Sequence, residues 1–468
     1  LVGKKFHQIK RTILEAPLYY LVSGIIALCR HTPRSFLTGL GKGFGFLAFY
    51  IISDYRKTAL TNLALAFPEK TFDERYKIAR QSLQHLIITL LELLAIEQLV
   101  GNIDKLITIV TSSRNPKGFS SEEVISNEDL EETFKNLQEK QGLILFCGHQ
   151  ANWELPFLYI TKNYPGIAFA KAIKNQRLSK KIFALREVFK GKIVPPKNGI
   201  QQGIEALNQG KLVGIVGDQA LLMSSYTYPL FGSPAFTTTS PALLAYKTGF
   251  PVIAVNVSRQ AKGFEVIPSA KLYANKSLPM KESVAILMDQ MMGFLEKGIA
   301  SQPEQWMWIH KRWKRKISNV IKKKYRYSHI LVFVDQVSSH FSFLKALAEC
   351  FSGTTLHLAL GNADHLEELQ EQFPEYSLIQ LRNDQDILAL PNCYPAIFDL
   401  TNNLQHLYKH FRKTGSCAVY SKRFLEKSLD HPQAPLKNSL RIFYSKNLKD
   451  KERKNFKVKS KGPRLTVE

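Results

Sequence analysis

From Gly142 onward the chain alternates short, apolar, β-prone runs with stretches that carry apolar residues at helical spacing, and this alternation predicts an α/β fold in which helices cover a sheet. The sharpest run is Leu143 to Cys147, five consecutive apolar residues bounded by Gly142 and Gly148, which reads as a buried strand. Trp153 to Lys162, Ala168 to Ile173, Lys180 to Lys190, Leu212 to Gly217, Pro241 to Thr248 and Val252 to Ser258 continue the alternation. Upstream, Thr71 to Val100 has apolar residues at helical spacing and predicts long packing helices, with Asp73 placed to cap the first.

A basic run from His310 to Lys316, followed by Lys322 to Lys324, ends this unit. A second alternating series then begins, with strands predicted at Ile330–Val334, Thr355–Ala359, Ser377–Leu381, Pro395–Leu400 and Ala418–Tyr420. It reads as a smaller α/β domain. Its first strand, turn and helix (Val332 to Gln336) hint at a Rossmann-like unit, without the glycine-rich phosphate loop. Charge separates the two bodies. The whole chain carries +25, of which residues 1–327 hold roughly +21 and residues 328–430 about −4. The predicted divisions are a membrane-anchor region over 1–55, a larger α/β domain over 56–325, an appended α/β domain of no assigned role over 326–430, and a basic tail over 431–468.

The anchor expectation comes from two apolar runs. Leu14 to Leu28 is bracketed by Lys10-Arg11 and Arg30, and Phe36 to Ile52 is rich in glycine. Neither reaches the ~20 residues of a comfortable span, and positive charge on both sides of the first leaves orientation undecided. A signal peptide is disfavoured because no small-residue cleavage site follows Arg30, so a retained membrane anchor is expected. The basic surface predicts polyanionic partners, but the aromatic and basic motifs of common RNA-binding modules are absent, so nucleic acid is not expected. The five cysteines are widely spaced and form no C-x-x-C pair, which predicts reduced thiols and no zinc cluster.

The chemistry centres on His149, between the end of the predicted strand and a helix start, with Gly148 permitting a tight turn. Residues five apart lie about 140° apart on a regular helix. His149 and Glu154 therefore meet only if His149 precedes the helix. In that geometry Glu154 would hold one imidazole nitrogen and leave the other to take a proton from a substrate hydroxyl. Loop amides and the helix start would steady an oxyanion, so neither a metal nor a protein nucleophile is needed. Cys147, inside the strand, is expected to be a bystander. A metal site is disfavoured because no third ligand stands at helical spacing.

The run Gly148-His149-Gln150-Ala151-Asn152-Trp153-Glu154 resembles the H-x-x-x-x-[DE] block of lysophospholipid acyltransferases, in the form found in lipid A late acyltransferases. Further blocks follow in family order: Arg186, Gly199-Ile200 with Ile204 to Gly210, Gly217-Asp218-Gln219, Leu230 to Ala235 with Thr237-Thr238, and Pro303-Glu304-Gln305-Trp306-Met307-Trp308-Ile309-His310-Lys311-Arg312-Trp313-Lys314. Arg56, Asn62-Leu63 and Ala66-Phe67-Pro68-Glu69 also fit. The sequence departs from the pattern at Phe169 to Ile173, where the family has a strand with tyrosine and arginine, and in its C-terminal extension.

The resemblance implies a membrane-anchored enzyme at the cytoplasmic face of the inner membrane. It would move an acyl chain from acyl carrier protein, its co-substrate in place of any cofactor, to a hydroxyl of an anionic glycolipid, a Kdo-lipid A precursor. The implied catalytic pair is His149 and Glu154. Among the substrate-binding candidates, Asn152 belongs to the distinctive Asn-Trp-Glu run, and Asp218 and Gln219 follow a strand, where polar side chains face a site. Arg186 would pair with a phosphate, and Phe231 and Gly232 form a turn lining the acyl channel or an ordinary tight turn. His310 and Arg312 would be part of a basic seat for phosphorylated head groups, with Trp306, Trp308 and Trp313 at the interface or Trp308 completing the core. The rival readings are a lysophospholipid or glycerol-phosphate acyltransferase, whose Asp and E-G-T-R signatures are missing, and a noncatalytic membrane-surface scaffold.

Overall fold

The computed structural model of the chain describes residues 2–316, 325–361, 366–401, 403–429 and 431–440, the side chains of residues 2–15 excepted. The lysines at 322–324 and most of the predicted basic tail, residues 441–468, lie outside the described residues. The chain forms two compact units, one of residues 1–51 and 77–307 and one of residues 52–76 and 308–468.

The first unit is built on a seven-stranded sheet. In chain order its strands are β1 (Ile107–Ile109), β2 (Leu143–Cys147), β3 (Gly166–Phe169), β4 (Gly191–Val194), β5 (Leu212–Val216), β8 (Val252–Gln260) and β9 (Gly263–Pro268), with a separate hairpin of β6 (Thr227–Leu230) and β7 (Ser233–Phe236). The spatial order is β1-β9-β8-β2-β5-β3-β4. Strands β8, β2, β5, β3 and β4 run parallel, and β9 turns back antiparallel to β8. The predicted strand at Leu143–Cys147 is β2, at the centre of the sheet and buried along its whole length. Covered on both faces, β2 needs no polar alternation, which explains its unbroken apolar run.

Helices Val2–His31 and Arg34–Ile51 precede the sheet. Gly41 and Gly45, four residues apart, let the second approach helix Phe72–Leu94: a Cβ at Gly45 would stand 2.4 Å from the Gln84 Cα, and one at Gly41 2.5 Å from the Ile88 side chain. The outer faces of these two helices expose Leu18, Tyr20, Leu21, Leu28, Phe36, Phe44, Leu47 and Ile51. No single helix among the described residues is long and apolar enough to cross a membrane. The apolar side chains of these runs lie along the outside of the two helices, the second glycine-rich and packed by its other face.

The second unit carries a five-stranded, wholly parallel sheet of β10 (His329–Val334), β11 (Thr355–Leu360), β12 (Tyr376–Gln380), β13 (Ala396–Asp399) and β14 (Ala418–Ser421), in the order β12-β11-β10-β13-β14. All five strands coincide with the predicted runs, and the order is the doubly wound one of a Rossmann-like sheet. Helix Ser53–Ala66 belongs to this unit: Ala64 joins the cluster of Leu331, Phe333 and Ile397, and the Asn62 side-chain amide donates to the carbonyls of Trp308 (2.7 Å) and His310 (2.8 Å). The start of helix Phe72–Leu94 is capped by Thr71 rather than by the predicted Asp73. The Glu74 N–H donates to Thr71 Oγ1, and the Thr71 N–H donates back to Glu74 Oε2, a reciprocal capping box.

Candidate active site

The register Cys147↔Val216 between β2 and β5 ends two adjacent parallel strands side by side. Whatever follows them meets at the C-terminal edge of the sheet, where open α/β folds place their ligands. His149 follows β2, and Asp218 follows β5. The imidazole Nδ1 lies 2.6 Å from Asp218 Oδ1, the backbone N–H of His149 donates to Asp218 Oδ2 at 2.7 Å, and the Trp306 indole N–H donates to the same oxygen at 2.7 Å. His149 Nε2, the atom left over, faces the side-chain nitrogen of Gln219 at 3.3 Å. Asp218 is 3 % exposed.

This arrangement explains Gly148 by space rather than by dihedral angle. A Cβ there would stand 3.0 Å from Asp218 Oδ2 and 2.9 Å from the Leu295 side chain. The left-handed residue of the turn is instead Ala151, at φ 47°. Such a conformation costs an alanine about 1–2 kcal/mol and is held from both sides: the Ala151 N–H donates to the Gln305 carbonyl (2.8 Å), and its own carbonyl accepts from Thr89 Oγ1 (2.6 Å).

Glu154 precedes helix Leu155–Thr161 as expected, so His149 does lie ahead of the helix. The carboxylate that grips the imidazole, however, is that of Asp218. Glu154 Oε1 pairs with Arg186 Nη2 at 2.6 Å and accepts from the Trp153 indole N–H at 3.1 Å. Arg186 is thereby tied to a protein carboxylate. Trp153 also packs its ring on His149, centroids 4.9 Å apart. The Asn152 side chain is fully buried, accepts from the Glu154 N–H and donates to Glu92 Oε2 at 3.0 Å; it shapes the loop from below instead of touching solvent. Glu92 in turn pairs with Arg259 and, at 3.4 Å, with Arg34, so a buried ionic cluster underlies the loop.

Phe231 and Gly232 form the tip of the β6–β7 hairpin with φ of 48° and 73°, and the Phe231 N–H donates to Glu296 Oε1 at 2.9 Å. Two successive positive φ values suit a two-residue hairpin turn. His310 and Arg312 belong to the second unit. The Arg312 side chain is 0 % exposed, and Trp306, Trp308 and Trp313 are 2 %, 0 % and 1 % exposed, so these residues occupy interiors and not the expected surface seat. Indole rings flanked by lysines read as interfacial in a sequence; here they fill cores. The pairing of His149 with Asp218 and the Trp306 hydrogen bond to the same carboxylate are features of the site that the sequence did not disclose.

Burial disfavours charge on the His149 ring, but the Asp218 carboxylate and its hydrogen bond outweigh it and raise the imidazole pKa above its ordinary value; Glu154 adds to this and Arg186 opposes it. The converse holds for Asp218, whose burial is overcome by His149, holding its carboxyl well below the usual range. Burial pushes the Cys147 thiol up, so it stays protonated at neutral pH and is no nucleophile. Of the loop amides, those of Gln150 and Ala151 are spent on the Gly148 and Gln305 carbonyls.

An imidazole gripped at one nitrogen by a buried carboxylate, at the edge of a mainly parallel sheet and beside an inert thiol, fits an enzyme that works by proton transfer. A profile of the bacterial lipid A biosynthesis acyltransferase family matches residues 4–315. The lipid A biosynthesis lauroyltransferase of Escherichia coli (strain K12) is 27 % identical over 322 residues, 66 % of this chain and 96 % of that protein. The lipid A biosynthesis palmitoleoyltransferase of the same strain is 23 % identical over 305 residues, 64 % of this chain and 92 % of that protein. A phosphatidylinositol mannoside acyltransferase of Mycobacterium tuberculosis (strain ATCC 25618 / H37Rv) is 20 % identical over 179 residues, 37 % of this chain and 54 % of that protein. The chain belongs to the bacterial lipid A biosynthesis acyltransferase family, and it is an acyltransferase.

Proposed function

We propose that the enzyme transfers a fatty acyl chain from acyl carrier protein to a hydroxyl of an anionic glycolipid, a lipid A precursor, with His149 as general base and Asp218 as the group that orients it. The observation that carries this reading is the 2.6 Å contact of His149 Nδ1 with Asp218, which leaves Nε2 as the proton acceptor. Nε2 takes the proton of the acceptor hydroxyl as its oxygen attacks the thioester carbonyl carbon. The C–S bond then breaks, and the departing sulfur recovers the proton from Nε2. The donor is a co-substrate, and the sequence of steps asks for no cofactor or metal. Glu154 and Arg186, locked together beside the ring, tune its charge and hold the loop.

The net charge of +25 suits an acidic carrier protein, whose approach it would speed. The exposed apolar side chains of Val2–His31 and Arg34–Ile51 suit helices lying in the plane of a membrane surface, the cytoplasmic face of the inner membrane, where the acceptor's hydroxyl and the soluble donor meet. The test is transfer of labelled acyl chains from acyl carrier protein to a tetra-acylated lipid A precursor in detergent. Wild type is expected to be active and His149→Ala nearly inactive; equal activity of the two would refute the assigned base.

A further inference from the structure

The loops that follow β3 and β5 adjoin at the C-terminal edge of the sheet, because the two strands are parallel neighbours. One carries Asp218 and Gln219 and continues into residues 220–226, where Leu221 is 44 % and Met223 91 % exposed. The other, residues 171–174, exposes Ile173 between Lys171 and Lys174. It leads into helix Gln176–Arg186. From residue 171 to residue 181 the chain carries five cations (Lys171, Lys174, Arg177, Lys180 and Lys181) and no acid. Lys171, Arg177 and Lys180 are exposed, and among the described residues none of the three enters an ion pair. Arg177 lies about 14 Å along the helix from Arg186, whose pair with Glu154 sits beside the His149 ring.

A single exposed apolar side chain is ordinary on a protein surface. Apolar tips on two adjoining loops, one of them set among cations, are instead the composition of a surface that meets anionic lipid: the apolar groups enter the acyl region while the cations stay at the phosphates. This surface is continuous with the outer face of helix Val2–His31, since helix Gln176–Arg186 packs beside it and Lys181 Nζ stands 5.5 Å from the centre of the Tyr19 ring. An acidic soluble partner would answer the cations and leave Ile173, Leu221 and Met223 uncovered. We infer that this edge of the sheet is a second lipid-contact surface, in which Ile173, Leu221 and Met223 enter an anionic bilayer and Lys171, Arg177 and Lys180 stay among its phosphates. The inference rests on the reading of helices Val2–His31 and Arg34–Ile51 as lying on a membrane surface. It goes further in turning the edge that holds His149 toward the bilayer, where the acceptor hydroxyl lies.

The test places an environment-sensitive fluorophore on the full chain at Met223→Cys or, separately, at Tyr20→Cys on helix Val2–His31, in a Cys417→Ser background because the other four cysteines are buried. Each labelled protein is mixed with vesicles of phosphatidylglycerol, with vesicles of phosphatidylcholine, and with acyl carrier protein. The Met223→Cys probe is expected to shift to the blue on phosphatidylglycerol and far less on the other two. Adding Lys171→Ala/Arg177→Ala/Lys180→Ala, changes confined to exposed side chains, is expected to raise the lipid concentration for half the shift about tenfold or more. A shift at Tyr20→Cys with none at Met223→Cys would overturn the second surface and leave the first standing, whereas no shift at either would remove both. A Met223→Cys probe that answers acyl carrier protein and not vesicles would assign the edge to the carrier and overturn the inference, as would a half-shift concentration that the triple change leaves where it was.

Discussion

His149 is gripped twice by one carboxylate 69 residues downstream: Asp218 Oδ1 lies 2.6 Å from its ring Nδ1, and Oδ2 accepts its backbone N–H at 2.7 Å. A single side chain thus sets both the position of the histidine backbone and the tautomer of its ring. Asp218→Asn keeps the size of the side chain and removes the charge. It is expected to lower kcat about 10²–10³-fold, and His149→Ala about 10²–10⁴-fold. Steady-state transfer assays on folded variants check this; an Asp218→Asn enzyme at wild-type rate would leave the tautomer argument without support.

The pH profile separates Asp218 from Glu154. The base works only when neutral, and its pKa is raised by Asp218 first and Glu154 second. Activity should therefore fall as the pH drops through a value above the ordinary ~6.5 of histidine, because below it Nε2 already holds a proton. Asp218→Asn should move this acidic limb to lower pH. Glu154→Gln, which frees Arg186, should cost activity but move the limb less. Profiles of kcat/KM for the three enzymes test the order, and a larger displacement in Glu154→Gln would assign the orienting role to Glu154 after all.

Trp306 offers a finer probe, since its indole N–H reaches the Asp218 oxygen that also holds the His149 backbone. Trp306→Phe retains an aromatic ring and deletes the donor. A loss of about tenfold in kcat is expected, in line with one hydrogen bond to a charged group at roughly 1.5 kcal/mol, with KM for the donor little changed. An unaltered kcat would reduce Trp306 to a packing residue.

The sequence disclosed these parts unevenly, for physical reasons. Strands β2, β5, β10 and β13 are mainly apolar and announce themselves, whereas β6 and β7 each contain a proline, which demotes a run as a strand, and β1 spans three residues. His149 stood out because a polar residue directly after a buried strand has little structural reason to be there. Its partner did not, because linear proximity favours Glu154 while the pairing of β2 with β5, which no local pattern contains, brings Asp218 alongside. The clue was present in weaker form: Asp218 follows a predicted strand just as His149 does. Asn62 and the Trp308 to His310 run match the family separately in sequence, and the structure joins them through two hydrogen bonds.

Beneath the loop, Glu92 is 1 % exposed and answers two arginines, Arg259 and Arg34, besides Asn152. Glu92→Leu leaves the Arg259 guanidinium buried without its counter-charge and should destabilise the fold by about 3–5 kcal/mol. The double change Glu92→Leu/Arg259→Leu should recover part of that loss, since the stranded cation is removed as well. Chemical denaturation of the two variants distinguishes this from simple loss of packing, in which the double variant would be the less stable of the two.

Gly45 sets helical propensity against packing. In an isolated helix Gly→Ala gains about 1 kcal/mol, so substitution on helix Arg34–Ile51 would stabilise the chain if nothing faced the residue. The new Cβ, however, would lie 2.4 Å from the Gln84 Cα and 2.8 Å from its backbone nitrogen, atoms that cannot turn aside as a flexible side chain would. The two helix backbones must separate, and the contacts at Ile88 and Gln84 loosen together. Gly45→Ala should therefore raise protease cleavage around residues 34–51 and weaken binding to vesicles of anionic phospholipid, while Gly43→Ala, where no atom lies within 4 Å, should leave both unchanged and serve as the control. Equal behaviour of the two variants would mean that the close approach of these helices does not hold the apolar face in place.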